Sequence, residues 1–210
     1  TASADDATQE VYLRAIRRAL EQGKRGLVLV PEISLTPQTV LRFKQALPGK
    51  KVAVLHSMLT PNERTSQWRD IQEAKADLVI GARSAIFAPL PDLGLIVVDE
   101  EHESSYKQDT SPRYHARDVA VMRGKLLGAT VVLGSATPSL ETLHNANTGK
   151  YGLLELPRRA TTHGLPRVHV VDLDGRFYSP SGKGLISPDL DRMLHRELKR
   201  GAQSILYLNR

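Results

Sequence analysis

Asp99, Glu100, Glu101 and His102 close the stretch Gly94–His102 (GLIVVDEEH). An apolar strand that ends in consecutive carboxylates delivers acids to the C-terminal edge of a parallel sheet, where open α/β folds bind their ligands. At such an edge Asp99 can hold Mg²⁺ through water, and Glu100 can orient the water that attacks a γ-phosphate. A strand running into a solvated acidic turn has the same pattern. A second stretch, Gly134–Ser139 (GSATPS), follows the next apolar run and sets Ser135 and Thr137 beside a helix start. Small hydroxyl side chains there bond a neighbouring carboxylate or an anion and change partners between states. Alone it reads as a capped helix, with Thr137 as cap and Pro138 at the first position. Paired with Asp-Glu-Glu-His, it points to nucleotide chemistry.

These residues need a scaffold, and the pattern of apolar runs supplies one. β-branched runs bounded by Gly, Pro or charge occur at Gly26–Pro31, Lys51–His56, Asp77–Gly81, Gly94–Asp99 and Ala129–Ser135. Near-continuous apolar runs of this length suit strands covered on both faces. Longer amphipathic segments alternate with them, at Thr8–Gln22, Thr36–Leu47, Thr60–Ala74, His115–Leu127 and Thr137–Asn147. The alternation predicts an α/β fold with a parallel sheet flanked by helices. Thr36-Pro37, Thr60-Pro61, Thr137-Pro138 and Ser187-Pro188 each put a hydroxyl at an N-cap and Pro at the first helical position, and Glu63 completes a capping box with Thr60. After Tyr151 the sequence reads as a connector with one strand, Val168–Leu173, then a capped helix over Ser187–Arg200, then a strand at Ser204–Leu208.

Composition removes several classes. The 210 residues hold no cysteine, which excludes disulfides, thiolate zinc sites and cysteine nucleophiles within them. No apolar run reaches the roughly 20 residues of a membrane helix, and the acidic start TASADDATQE is unlike a secretory signal. A soluble cytoplasmic protein with no membrane partner is the expectation. The net charge of +6 is compatible with a polyanionic partner. Neither a G-x-S-x-G elbow nor an H-E-x-x-H pair occurs.

The ordered motifs VPEISLTPQ, GARSAIF, VVDEEHESSYKQ, RYHARD, GSATPS and ILYLNR closely resemble the primosomal protein N′ family. These are replication-restart DNA helicases built from two RecA-like lobes of the superfamily 2 type. The likeness runs from about Glu10 to Arg210. It implies a P-loop NTPase fold, ATP and Mg²⁺ as cofactors, with Asp99 on Mg²⁺ through water, Glu100 on the hydrolytic water and His102 in coupling. It implies that Ser135 and Thr137 link nucleotide state to DNA grip, and that Pro31, Glu32, Thr36 and Gln38 contact the DNA backbone. The segment Ser104–Asp118 resembles the family's aromatic-rich loop, which makes Tyr106, Lys107, Arg113, Tyr114 and His115 candidates for single-strand contact. Pro112 stands where relatives often carry Trp. Arg83 and Ser84 are candidates for a phosphate contact, with pairing of Arg83 to a sheet-edge carboxylate as the alternative. Trp68 reads as packing, His56 as a turn histidine, and Arg158-Arg159 as connector or DNA contact.

The resemblance also implies partners: forked or single-stranded DNA, and primosome and replication proteins. It places zinc in a cysteine-rich insert beyond Arg210, so zinc is expected only outside this segment. One element departs from the pattern. No G-x-x-x-x-G-K-S/T occurs, and Thr8 and Gln9, after the acidic ASADDA, stand where the family's phosphate-gripping Lys and hydroxyl would be. The expected organisation is a first RecA-like lobe over 1–157, incomplete at its N-terminus, a connector over 158–200 and the opening strand of a second lobe over 201–210. The expected activity is part of an ATP-dependent 3′–5′ helicase that does not turn over ATP alone. The alternatives are a non-catalytic DNA-binding or partner-docking module, and an RNA-directed DExH motor.

Overall fold

Five short strands carry the molecule: β1 (Arg25–Leu29), β2 (Val52–Leu55), β3 (Leu78–Gly81), β4 (Leu93–Val98) and, further along the chain, β7 (Thr130–Leu133). The computed structural model describes residues 4–156, 167–172, 178–179, 182–183 and 186–207. The strands pair in the order β2-β3-β1-β4-β7, every pairing parallel. The predicted α/β sheet therefore forms, and each strand lies within its predicted apolar run or one residue outside it. Between β4 and β7 a small antiparallel hairpin pairs β5 (Lys107–Gln108) with β6 (Tyr114–His115).

Strand alternation divides the core in two. Leu27, Leu29, Val79, Ile96 and Val98 face Ile71, Ala116 and Ala120, while Val28, Val30, Leu78, Ile80, Leu95 and Val97 face Tyr12, Leu13, Ile16 and Phe43. Helix α1 (Ala4–Glu21) covers one face together with α2 (Pro37–Ala46); α3 (Pro61–Gln72) and α4 (Ala116–Leu127) lie on the other. The helix α1 begins at Ala4, ahead of the predicted Thr8, so Thr8 and Gln9 are helical.

Three of the four hydroxyl-Pro starts cap as predicted. Thr36 accepts from the Thr39 N–H, Thr60 forms the full capping box with Glu63, and Ser187 accepts from the Leu190 N–H of α6 (Pro188–Lys199). The fourth does not. Helix α5 (Leu140–Asn147) is capped by Ser139, not Thr137. The Thr137 N–H instead donates to Ser135 Oγ, at 2.9 Å, which keeps 135–138 in a loop.

The chain divides into two units, Thr1–Thr162 and His163–Arg210. In the second, β8 (Tyr178–Ser179) pairs with β9 (Gly182–Lys183). Residues 167–172 and 202–207 take no regular element, so the predicted strands Val168–Leu173 and Ser204–Leu208 do not form over their described residues. A strand exists only with a neighbour to bond its N–H and C=O groups, and an apolar run alone does not provide one. Arg158 and Arg159 lie outside the described residues. No helix among those described is long and apolar enough to cross a membrane.

Candidate functional site

Beyond β4 the main chain stays bonded on both sides. The Asp99 N–H donates to the Leu29 carbonyl (2.9 Å) and the Glu101 N–H to the Gly134 carbonyl (3.0 Å), while the Gly134 N–H returns to Val98 O (2.9 Å). This fixes the carboxylate turn between the ends of β1 and β7. Glu100 is held at φ 46°, in the left-handed region that non-glycine residues adopt only where the surroundings impose it.

Each acidic side chain then meets a different environment. Asp99, half-buried, accepts a hydrogen bond from the Tyr12 hydroxyl at 2.8 Å on Oδ1, and its carbonyl accepts from the Tyr106 hydroxyl at 2.7 Å. Burial, reinforced by the Asp99 charge, pushes both phenols far above their ordinary pKa, so both remain donors. Glu100 stays half-exposed, with Oε2 3.5 Å from His102 Nδ1. The same Nδ1 lies 2.7 Å from Ser135 Oγ, and Nε2 lies 3.5 Å from Thr137 Oγ1. The imidazole thus stands between the carboxylate turn and GSATPS, and brings Glu100, His102, Ser135 and Thr137 to one edge.

Glu101, absent from the sequence-based candidates, is fully buried. It accepts from the Ser139 N–H (2.7 Å), the Ser139 and Thr142 hydroxyls and Arg117 (3.1 Å). Burial alone would raise its pKa; the Ser139 N–H, Arg117 and the two hydroxyls outweigh it and hold the carboxyl below its ordinary 4.5. This clamp explains the displaced cap of α5, since Ser139 is bonded to Glu101 as it caps. Tyr12 was missed as well, because it falls on the apolar face of α1 with Leu13, Ile16 and Ala19 and so reads as core.

Among the described residues no three of His, Cys, Asp and Glu converge as a metal cluster. Mg²⁺ is commonly held by one or two carboxylates, with waters and substrate phosphates completing its shell. One carboxylate oriented by a buried phenol, with Glu100 beside it, fits a cation that arrives with a nucleotide and not a resident structural ion.

The DNA candidates separate. Tyr106 is fully buried, so it cannot stack on a base; the packing reading of this residue replaces the contact one. Among the described residues Arg83 pairs with no sheet-edge carboxylate. Its Nη1 donates to the carbonyls of Lys107 (2.6 Å) and Ser105 (3.2 Å) and pins the loop. Tyr114 is half-buried edge-on against Phe87, centroids 5.0 Å apart. His115 caps α4, its Nδ1 accepting from the Arg117 N–H at 3.3 Å. Burial, then the Arg117 charge, lowers its pKa below 6.5, which suits a neutral acceptor. Lys107 and Arg113 remain exposed beside Asp109. Near β1, Pro31 is buried, Thr36 is engaged as a cap, and Glu32, Gln38 and, after β3, Ser84 are exposed. Trp68, read as packing, is 37% exposed.

The DEAD/DEAH box helicase family profile matches residues 8–146, a span that includes both the carboxylate turn and GSATPS. This chain belongs to the DEAD/DEAH box helicase family. The α/β sheet is accordingly RecA-like, and membership implies use of ATP and Mg²⁺. The chain is 47% identical to replication restart protein PriA of Bacillus subtilis (strain 168), over 96% of this chain and 25% of that protein. Against the PriA of Chlamydia muridarum the identity is 48%, over 96% of this chain and 27% of the relative. The chain thus spans about a quarter of the length of these DEAD/DEAH relatives. Among solved structures, RecG bound to a three-way DNA junction covers 66% of this chain and 18% of its own at 23% identity, with a TM-score of 0.47.

Proposed function

We propose that this chain is the part of an ATP-driven, 3′–5′ DNA helicase for replication-fork restart that carries the hydrolytic carboxylates and the loop coupling them to DNA. The observation that carries the reading is the His102 ring, 3.5 Å from Glu100 on one side and 2.7 Å from Ser135 on the other. When bound, Mg²⁺ would neutralise charge developing on the nucleotide phosphates. Asp99 would hold a water of that cation, and Glu100, half-exposed beside it, would orient the attacking water. His102 passes a change at Glu100 to Ser135 and Thr137, whose partners lie in the strand-to-helix loop.

Forked or single-stranded DNA is the nucleic acid proposed, met through Lys107, Arg113, Ser84 and the Glu32–Gln38 segment, whose exposed polar groups suit backbone contact. Primosome and replication proteins are the proposed partners, a reading supported by the 40–48% identity to the PriA relatives. The phosphate grip is not among these 210 residues in its usual form, so hydrolysis by this chain alone is expected at background.

Fluorescence anisotropy of labelled forked DNA, single-stranded DNA and RNA of the same sequence, at two salt concentrations, tests the reading. DNA bound more tightly than RNA, with affinity falling as salt rises, is the expected result. Tighter binding to RNA would transfer the chain to the RNA-directed motors. Hydrolysis stimulated by forked DNA well above background would mean that these residues grip phosphates by another route.

A further inference from the structure

Tyr12 is 4% exposed, and its hydroxyl reaches Asp99 Oδ1 through a gap at Gly134. A Cβ at position 134 would lie 1.7 Å from the Tyr12 oxygen and 2.8 Å from Cζ, an overlap that no small adjustment of a buried ring relieves. Glycine is therefore required there by close approach. Gly134 is also the first residue of GSATPS, bonded by its own N–H to Val98 and by its carbonyl to Glu101. One phenol thus touches α1, the carboxylate assigned to the cation, and the start of the coupling loop.

We propose that Tyr12 is a positioning residue for divalent-cation binding at Asp99, its hydroxyl holding the carboxylate in orientation and Gly134 leaving the space for it to do so. This rests on the assignment of Asp99 in the proposed function and adds the residue that sets its geometry. Side chains that hydrogen-bond a metal's carboxylate ligand restrict its rotation, so that less conformational freedom is lost when the cation's shell is captured.

The test uses the 210-residue chain and Mn²⁺ alone as the paramagnetic probe, read by broadening of assigned backbone amides. In the wild type the amides of Asp99, Glu100, Gly134 and Ser135 should broaden before those beside other exposed carboxylates such as Asp109, and Asp99→Asn should abolish the effect. Tyr12→Phe keeps the ring and its packing, and should need about tenfold more Mn²⁺ for the same broadening. Gly134→Ala, which displaces the hydroxyl without removing it, should do likewise. If Tyr12→Phe broadens at wild-type Mn²⁺ concentrations, whatever its thermal stability, Tyr12 is a packing residue and the inference is overturned while the Asp99 assignment stands. If the wild-type amides at 99 and 100 show no preference, the Asp99 assignment fails and this inference goes with it.

Discussion

The carboxylate turn at 99–102 and the loop at 104–115 are adjacent in sequence, and both are rich in polar residues, yet the structure uses them in opposite ways. In the turn, candidate residues reach one another across the sheet edge: His102 meets Ser135 and Glu100 lies beside it. In the loop, most candidates are consumed by the fold. Tyr106 is buried under Asp99, Tyr114 packs edge-on against Phe87, His115 caps a helix, and Arg83, from outside the loop, holds its carbonyls, while Lys107 and Arg113 stay exposed beside Asp109. The lesson is that the residue types suited to binding nucleic acid are the same ones that cap helices and seal loops.

The sharpest way to break this contrast is at Glu101, the turn's buried member. Glu101→Ala leaves Arg117 without its buried partner and Ser139 without its acceptor, and should cost about 3–5 kcal/mol in chemical denaturation. A loss below about 1 kcal/mol would mean that the clamp does not hold the turn. The carboxyl is depressed in the folded state, so its contribution is present above the ordinary Glu pKa and lost as pH falls through the lower folded value. Glu101→Gln should flatten that acid limb.

Tyr106→Phe comes next. It removes one donor from the Asp99 carbonyl and should cost about 1–2 kcal/mol of stability, while DNA affinity stays within twofold of wild type. A large loss of DNA binding with unchanged stability would restore Tyr106 as a base contact. Lys107→Ala and Arg113→Ala should act in reverse, leaving stability alone and each lowering the salt slope of DNA binding by about one.

The smallest effect is expected at His115, whose neutral ring caps α4. Its folded pKa lies below 6.5, so the cap is intact above that value and is lost as pH falls through the lower one. The cap is worth about 0.5–1 kcal/mol. Thermal melts from pH 7.5 to 5 should show a loss of that order in the wild type and a shallower one in His115→Asn, which caps at every pH.

Much of the scaffold was legible because its three central strands, β1, β3 and β4, are buried on both faces, as continuous apolar runs require. Three caps were legible because the hydroxyl and its target N–H are three residues apart. Thr137 was not, since its place was taken by a contact between Ser139 and Glu101, 38 residues away. The same distance hid Glu101: nothing local separates it from Glu100, and only Arg117, Ser139 and Thr142 decide which of the two is buried. Tyr12 was hidden by its ring, which belongs to the core while its hydroxyl belongs to the site. The run Ser204–Leu208 takes no strand over its described residues, 204–207, because β-propensity describes a fit to neighbouring strands and not a property of the run itself.

One imidazole joins the carboxylate turn to the GSATPS loop. Long-range proton–nitrogen spectra of His102, recorded for the wild type, Ser135→Ala and Thr137→Ala, measure that contact directly. The Nδ1 signal should move in Ser135→Ala and the Nε2 signal in Thr137→Ala. If neither ring nitrogen responds to either substitution, the turn and the loop are not joined, and the coupling reading of this edge is wrong.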